Sequence, residues 1–471
     1  MTTSPQPPSD PQVFDTVIIG AGQAGPSLAG VLDGRGERVA LVQDGPFGGT
    51  CLNDGCRPTK AMRASARAAH VARTAGRFGV VVDGPVRVDL AAAVARKDRM
   101  IDTWRAASTE HFVHHPTITY LVGRGRLAGT LDDGTHRVTV GDRTLVARRV
   151  ILNTGARSTP PPIEGLGDVP WMSHHEILDL TVLPDHLLVL GGSYIGLEFG
   201  QMFRRFGADV TIVEHGPRLV GREDPEVSAA ITEVLTGEGV GVVTSRTVSR
   251  VSPNSSGGIE AVLDDGSTIT ASHVLVATGR TPNSDDLGLD TVGVETDDHG
   301  HVRVDDVYRT TVAGIYAVGD VNGRGAFTHT SFQDHEILAD HLSGGARTVA
   351  GRVSTYGLFT DPPLGRFGLT ATEAGRQGLD HTVVKFPMSR VTRAVLDDEP
   401  EGIAILVADR TSGRLLGAAV LGHQGDEVVQ TLSLLTHAGG TVHDLATWLP
   451  VHPTVAEYLP TIAAGLAPPE A

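Results

Sequence analysis

The stretch Thr16-Val17-Ile18-Ile19-Gly20-Ala21-Gly22-Gln23-Ala24-Gly25 decides the fold of the N-terminal part of the chain. Its first four residues predict a short buried strand, and an Ala- and Leu-rich segment to about Leu32 predicts a helix. Gly20, Gly22 and Gly25 lie between the two, where the bare backbone can approach a pyrophosphate at the positive end of a helix. With a second strand at 38–42, the pattern predicts a βαβ dinucleotide-binding unit. A tight turn without a ligand is the alternative.

The same plan recurs in the middle of the chain. A strand at 186–190 leads into the turn Gly191-Gly192-Ser193-Tyr194-Ile195-Gly196, a helix at 197–206 and a strand at 209–213. The second copy ends in Glu214, which suits a ribose 2′-OH and repels a 2′-phosphate, whereas the first ends in Gln43. Two such units imply two dinucleotides, or a duplicated fold with one inactive copy. Glu214 favours NADH over NADPH, and the nearby Arg218 and Arg222 keep NADPH open.

Further signals divide the chain. Short apolar strands precede two similar turns, at 153–155 and 277–280, and from about 350 the pattern changes to strands at 403–407 and 415–421 followed by a helix at 427–438. We therefore expect an α/β protein with two Rossmann-like domains and a C-terminal α+β domain. The expected boundaries are a disordered tail at 1–12, one dinucleotide domain at 13–155 and 285–350, the other at 156–284, and the last domain at 351–471.

Composition excludes several classes of protein. The chain has 471 residues, 40% of them hydrophobic, so it can bury a large core. Its net charge of −16 argues against a nucleic-acid-binding protein, which needs a basic face. No apolar run reaches the roughly 18–20 residues of a membrane span. The first twelve residues lack the features of a signal peptide, so we expect a cytoplasmic protein.

The two cysteines of the chain, Cys51 and Cys56, lie within Gly48-Gly49-Thr50-Cys51-Leu52-Asn53-Asp54-Gly55-Cys56-Arg57-Pro58-Thr59-Lys60. In a regular helix, residues five apart are too distant for a disulfide, although Asn53-Asp54-Gly55 could distort the turn enough to close the gap. Two buried free thiols are the alternative. A metal pair is disfavoured because no further cysteine remains to complete a zinc site, and we expect no metal.

This segment resembles the active-site segment of the pyridine nucleotide–disulfide oxidoreductases, the family of glutathione and mycothione reductases, dihydrolipoamide dehydrogenase and mercuric reductase. The resemblance extends from Asp15 to about Pro460. It implies FAD in the first dinucleotide fold, a nicotinamide cofactor in the second, a redox disulfide made by Cys51 and Cys56, and a homodimer. The sequences of several motifs are most similar to those of mercuric reductase-like proteins. This similarity alone does not indicate mercury chemistry.

The resemblance also assigns roles to other residues. His452, in His452-Pro453-Thr454-Val455-Ala456-Glu457, matches the catalytic acid/base that acts on the partner subunit's disulfide, with Glu457 orienting its ring. Lys60 matches the cation beside flavin N5, paired with Glu198, and Tyr194 matches the tyrosine that covers the flavin until nicotinamide enters. The implied contacts with FAD or nicotinamide cofactor come from Gly20, Gly22, Gly25, Gln43, Gly49, Thr50, Lys60, Thr154, Gly155, Asp320, Thr328, Gly191, Tyr194, Ile195, Gly196, Glu214, Gly279 and Arg280.

The resemblance implies a flavoprotein disulfide reductase in which Cys51 attacks the substrate and Cys56 is the thiolate beside the flavin. The extra cysteine pairs of large thioredoxin reductases and of mercuric reductase are missing from this two-cysteine chain. A low-molecular-weight disulfide is therefore the expected substrate. A dihydrolipoamide dehydrogenase and an NAD(P)H-dependent metal-ion or quinone reductase are alternatives. A flavin-holding redox sensor is a further one, although Lys60, Glu198, His452 and Glu457 together argue for turnover.

Overall fold

The computed structural model describes residues 11–255 and 257–466. Contacts group them into two compact units. The first contains 11–61, 94–159 and 279–352, and the second contains 62–93, 160–278 and 353–466. Most of the predicted tail at 1–12 lies outside the described residues, and Gln12 already belongs to the first strand.

The α-helices alternate with strands through most of the chain, as the βαβ pattern predicts. Their bounds in the described residues are Ala24–Asp33, Gly49–Asn53, Cys56–Thr74, Leu90–Val113, Tyr194–Phe206, Pro225–Gly237, Thr328–His341, Ala371–Arg376, Thr392–Leu396, Gly425–His437, Val442–Thr447 and Leu459–Ala464.

The first unit is built on a seven-stranded sheet. Its strand order is Ile118–Val122, Val39–Gln43, Gln12–Ile19, Arg143–Leu152, His136–Val140 and Gly125–Thr130, with Ile315–Ala317 beside the end of Arg143–Leu152. The central strands pair in parallel, with Val17 opposite Ala40 and Val150. A two-stranded antiparallel ribbon, Ala156–Ser158 with Arg280–Pro282, belongs to the same unit.

Burial on both faces explains why the central strands are continuous apolar runs. Val17 and Ile18 are fully buried in two different clusters, one on each side of the sheet. The cluster around Ile18 includes Leu28 and Leu32 of the helix Ala24–Asp33. Parallel strands covered on both faces require such residues, and their carboxyl ends meet at one edge, where the glycine turn lies.

The second unit contains a second parallel sheet. Its strand order is Gly241–Thr244, Asp209–Glu214, His186–Leu190, His273–Val276 and Trp171–Met172. The helix Tyr194–Phe206 follows the central strand, and its Phe199, Phe203 and Phe206 are buried. A three-stranded antiparallel sheet, Val248–Pro253, Ile259–Leu263 and Thr268–Ala271, lies in the same unit.

The C-terminal part of the second unit is a five-stranded antiparallel sheet. Its strand order is Thr355–Leu358, Leu364–Gly368, Leu415–Leu421, Ile403–Asp409 and His381–Pro387. Its buried cluster includes Leu406, Val420, Val429 and Leu432, so the helix Gly425–His437 packs on this sheet.

The predicted fold class, two Rossmann-like regions followed by an α+β region, is confirmed. The helix of the second βαβ unit begins at Tyr194 rather than 197, because the last residues of the glycine turn already adopt helical geometry. The first strand begins four residues earlier than the apolar run suggested, because Gln12, at the amino end of this central strand, pairs with Leu145. The division into three domains stays a prediction.

Candidate active site

Backbone crowding explains two glycines of the first turn. Gly20 has φ 112°, and a Cβ there would lie 2.2 Å from the carbonyl oxygen of Asn153. A Cβ at Gly25 would lie 2.2 Å from the Gly20 oxygen. At Gly22, by contrast, the nearest atom to a Cβ would be Asn153 Nδ2 at 3.4 Å. The turn is tight where helix and strand meet and open at Gly22, which fits the predicted approach of a pyrophosphate.

The side chains at the ends of the two second strands occupy matching places. Gln43 Oε1 accepts a hydrogen bond from the Ala21 amide at 2.6 Å, and Glu214 Oε2 accepts one from the Gly192 amide at 2.6 Å. Glu214 Oε1 also accepts from the Gly216 amide at 2.7 Å. Both side chains therefore lie at the glycine turn where the predicted ribose contact belongs, and Gln43 keeps the backbone interaction without a charge.

The two cysteines lie together in the first unit as thiols that are not joined in a disulfide. Cys51 lies in the short helix Gly49–Asn53, and Cys56 is the first residue of the helix Cys56–Thr74. A hydrogen bond with Cys56, followed by burial, raises the pKa of the Cys51 thiol. The break between the two helices brings the sulfurs into contact, as the Asn-Asp-Gly sequence suggested, and the exposed Cys56 excludes a pair of buried thiols.

The Cys56 sulfur also meets the start of another helix. It lies 3.2 Å from Thr328 Oγ1, and Thr328 is the first residue of the helix Thr328–His341. Helix N-termini favour negative charge, and the hydroxyl can donate to a thiolate. The surroundings of Cys56 therefore favour its thiolate form, and the partner on which this depends, the Thr328 hydroxyl, was predicted only as a cofactor contact.

Glycines beside the cysteines keep the backbone close to the first turn. Gly49 has φ 61°, and a Cβ there would lie 2.9 Å from the Gly22 Cα. The Thr50 carbonyl accepts a hydrogen bond from Asp54 at 3.0 Å. Gly49 and Thr50 are thus held between the redox pair and the predicted pyrophosphate turn.

The residues after the strand Arg143–Leu152 form a fixed connection. Thr154 Oγ1 donates to the Asn283 carbonyl at 2.8 Å, and Asn283 Nδ2 donates to the Thr154 carbonyl at 2.9 Å. Gly155 has φ 69° and accepts a hydrogen bond from the Asn283 amide at 2.9 Å. These hydrogen bonds therefore connect the turn that ends in Gly155 to the segment that follows the similar turn at Gly279, within the first unit.

Asp320 and Arg280 form a pair of ionisable residues in the first unit. Burial raises the pKa of the Asp320 carboxyl, and the nearby Arg280 opposes that shift. Arg280 Nη2 donates to the Ala156 carbonyl, while its buried Nε has no hydrogen-bond partner among the described residues. A half-buried carboxyl and an unsatisfied guanidinium nitrogen are suited to a polar ligand, which agrees with the cofactor contact predicted for Asp320. A Cβ at Gly279 would have no atom within 4 Å, so steric crowding does not require a glycine at this position.

The second glycine turn has the same geometry as the first. Gly191 has φ 109°, and a Cβ there would lie 2.5 Å from the Ala277 oxygen. A Cβ at Gly196 would lie 2.0 Å from the Gly191 oxygen. Ser193 occupies the N-cap position of the helix that begins at Tyr194, without a side-chain capping hydrogen bond, and Ile195 is half-buried in the first turn. A side chain at 193 is thus compatible with the turn.

Tyr194 is part of a polar cluster in the second unit. Its hydroxyl donates to Glu223 Oε1 at 3.2 Å, and its ring meets the Tyr356 ring edge-on with centroids 5.6 Å apart. Burial, followed by Tyr356 and Glu223, raises the pKa of the Tyr194 phenol. Glu223 had not been predicted as a site residue, because in Gly221-Arg222-Glu223-Asp224-Pro225 it reads as one charge of a solvated turn.

Lys60 belongs to the first unit and Glu198 to the second. Lys60 is half-buried in the first turns of the helix Cys56–Thr74. Glu198 Oε1 accepts a hydrogen bond from the Phe359 amide at 2.9 Å. Their pairing stays a prediction.

His452 and Glu457 form the predicted dyad in the second unit. His452 Nδ1 lies 2.8 Å from Glu457 Oε2, which also accepts a hydrogen bond from the Thr454 amide at 3.4 Å. The His452 side chain is 77% exposed, whereas that of Glu457 is 12% exposed. The carboxylate is anchored and the imidazole projects outward, with Nε2 available for proton transfer.

The described residues contain neither a metal-ligand cluster of three or more His, Cys, Asp or Glu side chains nor a helix of the length and apolarity needed to cross a bilayer.

Comparison with known proteins matches almost the whole chain. The sequence model described as "Pyridine nucleotide-disulphide oxidoreductase" matches residues 14–334, and the model of its dimerisation domain matches 355–463. A mercuric reductase of Streptomyces lividans is 35% identical, over 95% of this chain and 94% of the relative. A dihydrolipoyl dehydrogenase of Halobacterium salinarum is 32% identical, over 94% of each. The solved structure of the HOCl-induced flavoprotein disulfide reductase RclA from Escherichia coli is 30% identical, with a TM-score of 0.86 over 96% of this chain and 99% of RclA.

Proposed function

Because the chain belongs to the pyridine nucleotide-disulphide oxidoreductase family, whose FAD enzymes take electrons from NAD(P)H, we propose that it reduces a low-molecular-weight disulfide. The observation that carries this proposal is the hydrogen-bonded contact between Cys51 and Cys56, with Cys56 at a helix N-terminus and 3.2 Å from the Thr328 hydroxyl. A redox sulfur pair needs that proximity and one sulfur poised as a thiolate.

The residues present fit FAD. The turn at Gly20 and Gly25 leaves no room for a Cβ, Asp320 offers a half-buried carboxyl, and Arg280 offers a buried Nε that has no hydrogen-bond partner among the described residues. We propose that these residues, with Gln43 and Thr328, hold the cofactor. When bound, the flavin supplies the two-electron link between a reduced nicotinamide and the cysteine pair.

The two sulfurs take different roles in this proposal. Two electrons cleave the Cys51–Cys56 disulfide, leaving Cys56 as a thiolate and Cys51 as the attacking sulfur. Cys51 then attacks one sulfur of the substrate disulfide, which forms a mixed disulfide and releases the first thiolate. Cys56 attacks the Cys51 sulfur, so that the cysteine disulfide re-forms and the second thiol leaves. The raised pKa of Cys51 supports a base in this order, because the Cys51 thiol must lose its proton before it attacks.

His452 is the proposed base and acid. Glu457 holds Nδ1 at 2.8 Å and thereby leaves Nε2 to take the proton of Cys51 and to protonate the departing thiolate. We propose that His452 performs this on the disulfide of a partner subunit in a homodimer, which agrees with its 77% exposed side chain and with the matched dimerisation domain.

NADH is the proposed nicotinamide donor. Both Glu214 oxygens already accept backbone hydrogen bonds, so this carboxylate is fixed at the end of its strand, where a 2′-phosphate would be repelled. We expect kcat/KM to be higher with NADH than with NADPH and the preference to fall in Glu214→Gln. A preference for NADPH in the unaltered enzyme would contradict this assignment.

The function is tested by following NAD(P)H oxidation with a panel of disulfides, quinones and metal ions, in the unaltered enzyme and in His452→Ala. We expect at least one small disulfide to be reduced, and His452→Ala to lose that turnover by about 100-fold or more while nicotinamide still reduces the flavin. Turnover of quinones or metal ions alone, unchanged in His452→Ala, would overturn the proposal. Equal loss of both half-reactions would overturn the role of His452.

A further inference from the structure

A buried carboxylate joins two parts of the second unit. Glu223 Oε1 accepts hydrogen bonds from the hydroxyls of Tyr194 at 3.2 Å and Tyr356 at 2.7 Å. Glu223 Oε2 accepts from Arg366 Nε at 3.2 Å. These four residues are named here the Glu223 cluster. Tyr194 comes from the second glycine turn, whereas Tyr356 and Arg366 come from the C-terminal antiparallel sheet.

The anchor of this cluster is rigid. Glu223 and Arg366 are each only 1% exposed, so the charges compensate each other out of solvent. Arg366 Nη1 also donates to the carbonyls of Phe367 and Ala418, which fixes the guanidinium on the sheet. Removing Glu223 from this place would leave the buried Arg366 guanidinium with only the Glu373 carboxylate, 3.9 Å away, so the Glu223 carboxylate stays where it is.

Tyr194 is the member of the cluster that lies beside the predicted nucleotide site. It is half-buried and is the first residue of its helix, next to the turn predicted to receive the nicotinamide cofactor. The loop that carries Glu223 is tied to the same turn, because the Val220 amide donates to the Gly192 carbonyl at 2.8 Å. A hydrogen bond from a phenol to a buried carboxylate is charge-assisted and therefore stronger than one between neutral groups.

We propose that Glu223 is a positioning residue that latches Tyr194, so that a nicotinamide ring which displaces Tyr194 must break the Tyr194–Glu223 hydrogen bond. This inference rests on the proposed function, in which a nicotinamide cofactor reduces the flavin, and on the expectation from the sequence that Tyr194 covers the flavin until nicotinamide enters. The latch makes nucleotide binding weaker than the pocket alone would allow, and it returns the tyrosine to one position when the nucleotide leaves. Arg366 acts through Glu223, because it holds Oε2, whereas Tyr356 holds Oε1 and also contacts the Tyr194 ring directly.

The test measures equilibrium binding of NAD⁺ and NADP⁺ to the oxidised FAD-loaded enzyme by calorimetry. Tyr194→Phe keeps the ring and removes the latch, so we expect Kd for the preferred nucleotide to fall about tenfold. Glu223→Gln keeps an acceptor oxygen and loses the charge, and we expect a smaller fall. In the double variant Tyr194→Phe/Glu223→Gln, we expect the same Kd as in Tyr194→Phe, because the hydrogen bond that Glu223 accepts from Tyr194 is already absent. In Glu223→Gln and in Tyr356→Phe the limiting rate of flavin reduction stays within about twofold, a split between binding and rate that general disruption would not give.

A second cycle covers the case in which Glu223→Gln fails to fold around Arg366. Tyr356→Phe removes a hydroxyl from the same Glu223 oxygen, and its effect on Kd disappears when Tyr194→Phe is already present. Unchanged Kd in Tyr194→Phe, or effects of Tyr356 or Glu223 that persist in the Phe background, would overturn the latch. Failure of both NADH and NADPH to reduce the flavin of the unaltered enzyme would instead overturn the proposed function.

Discussion

The hydroxyl of Thr328 lies 3.2 Å from the sulfur of Cys56, the proposed thiolate. Thr328→Val removes that donor and keeps the shape, so the thiolate loses a charge-assisted hydrogen bond. We expect the pKa of Cys56 in the two-electron-reduced enzyme to rise by about one unit. Because the long-wavelength absorption of a thiolate beside flavin requires ionised Cys56, this band disappears at a higher pH in Thr328→Val when acid is added.

Thr328→Ser is the matched control, because it keeps the hydroxyl. Its titration follows that of the unaltered enzyme. Coincident curves for the valine and serine variants would show that the Thr328 hydroxyl does not stabilise the thiolate.

At the residue scale, local motifs could be predicted and long-range partners could not. The dyad of His452 and Glu457 was predicted because its members are five residues apart and share a turn. The contact of Thr328 with Cys56 joins residues 272 positions apart, and that of Arg366 with Glu223 joins residues 143 apart. Such contacts depend on the packing of whole elements, of which a single side chain in the sequence gives no sign.

The helix Ala24–Asp33 provides a prediction about cofactor retention. A Cβ at Gly25 would lie 2.2 Å from the Gly20 oxygen, so Gly25→Ala must push the helix away from the turn. We expect affinity for FAD to fall about tenfold or more, measured as flavin released on dilution. Gly30→Ala lies in the same helix with no atom within 4 Å of the new Cβ, and it should retain FAD. Equal retention in both variants would contradict the close-packed turn.

An ion cluster joins several elements of the second unit. Asp361 is 6% exposed and pairs with Arg67 of the helix Cys56–Thr74 and Arg205 of the helix Tyr194–Phe206. Burial works against ionisation, but the arginines prevail and hold the pKa of the Asp361 carboxyl below its usual value. We expect Asp361→Asn to lower the free energy of unfolding by about 3 kcal/mol at pH 7, because it leaves buried cations undercompensated.

The pH dependence of that loss follows from its sign. A carboxyl whose pKa is lowered by folding stabilises the protein above its unfolded pKa of about 4, and this contribution disappears as the pH falls through the folded value. The difference between Asp361→Asn and the unaltered protein in urea unfolding therefore shrinks in acid. Asp380→Asn, which breaks an exposed pair with Arg410, should cost less than about 1 kcal/mol. Equal losses in the two variants would contradict the role of the buried cluster.

At the element scale, apolar runs between glycine turns predicted the strands well. The strands His186–Leu190 and Leu415–Leu421 have the predicted bounds. Residue spacing does not predict that the helices Gly49–Asn53 and Cys56–Thr74 are separate. The break between them lies at Asp54, whose φ is −143°, and it does not depend on the period of the hydrophobic residues. That break is what brings the two sulfurs into contact.

The proposed homodimer makes a prediction about the whole molecule. If His452 serves the partner's disulfide, neither Cys51→Ser nor His452→Ala is active as a homodimer. A heterodimer of the two has one intact site, formed by Cys51 of one subunit and His452 of the other. Random re-association of equal amounts should restore about one quarter of the disulfide reductase activity, since half of the dimers are mixed and each has one of two sites. No recovery, with mixed dimers demonstrated by differential tagging, would place His452 and the disulfide in the same subunit.

The measurement that tests the central claim most directly is alkylation of the FAD-loaded enzyme before and after one equivalent of NADH or NADPH under anaerobic conditions, read by mass spectrometry. We expect the oxidised enzyme to gain no alkyl group, and we expect reduction to make both Cys51 and Cys56 reactive. A flavin that is bleached while the two cysteines remain unmodified would contradict it, because the electrons would then leave by a route that does not pass through this sulfur pair.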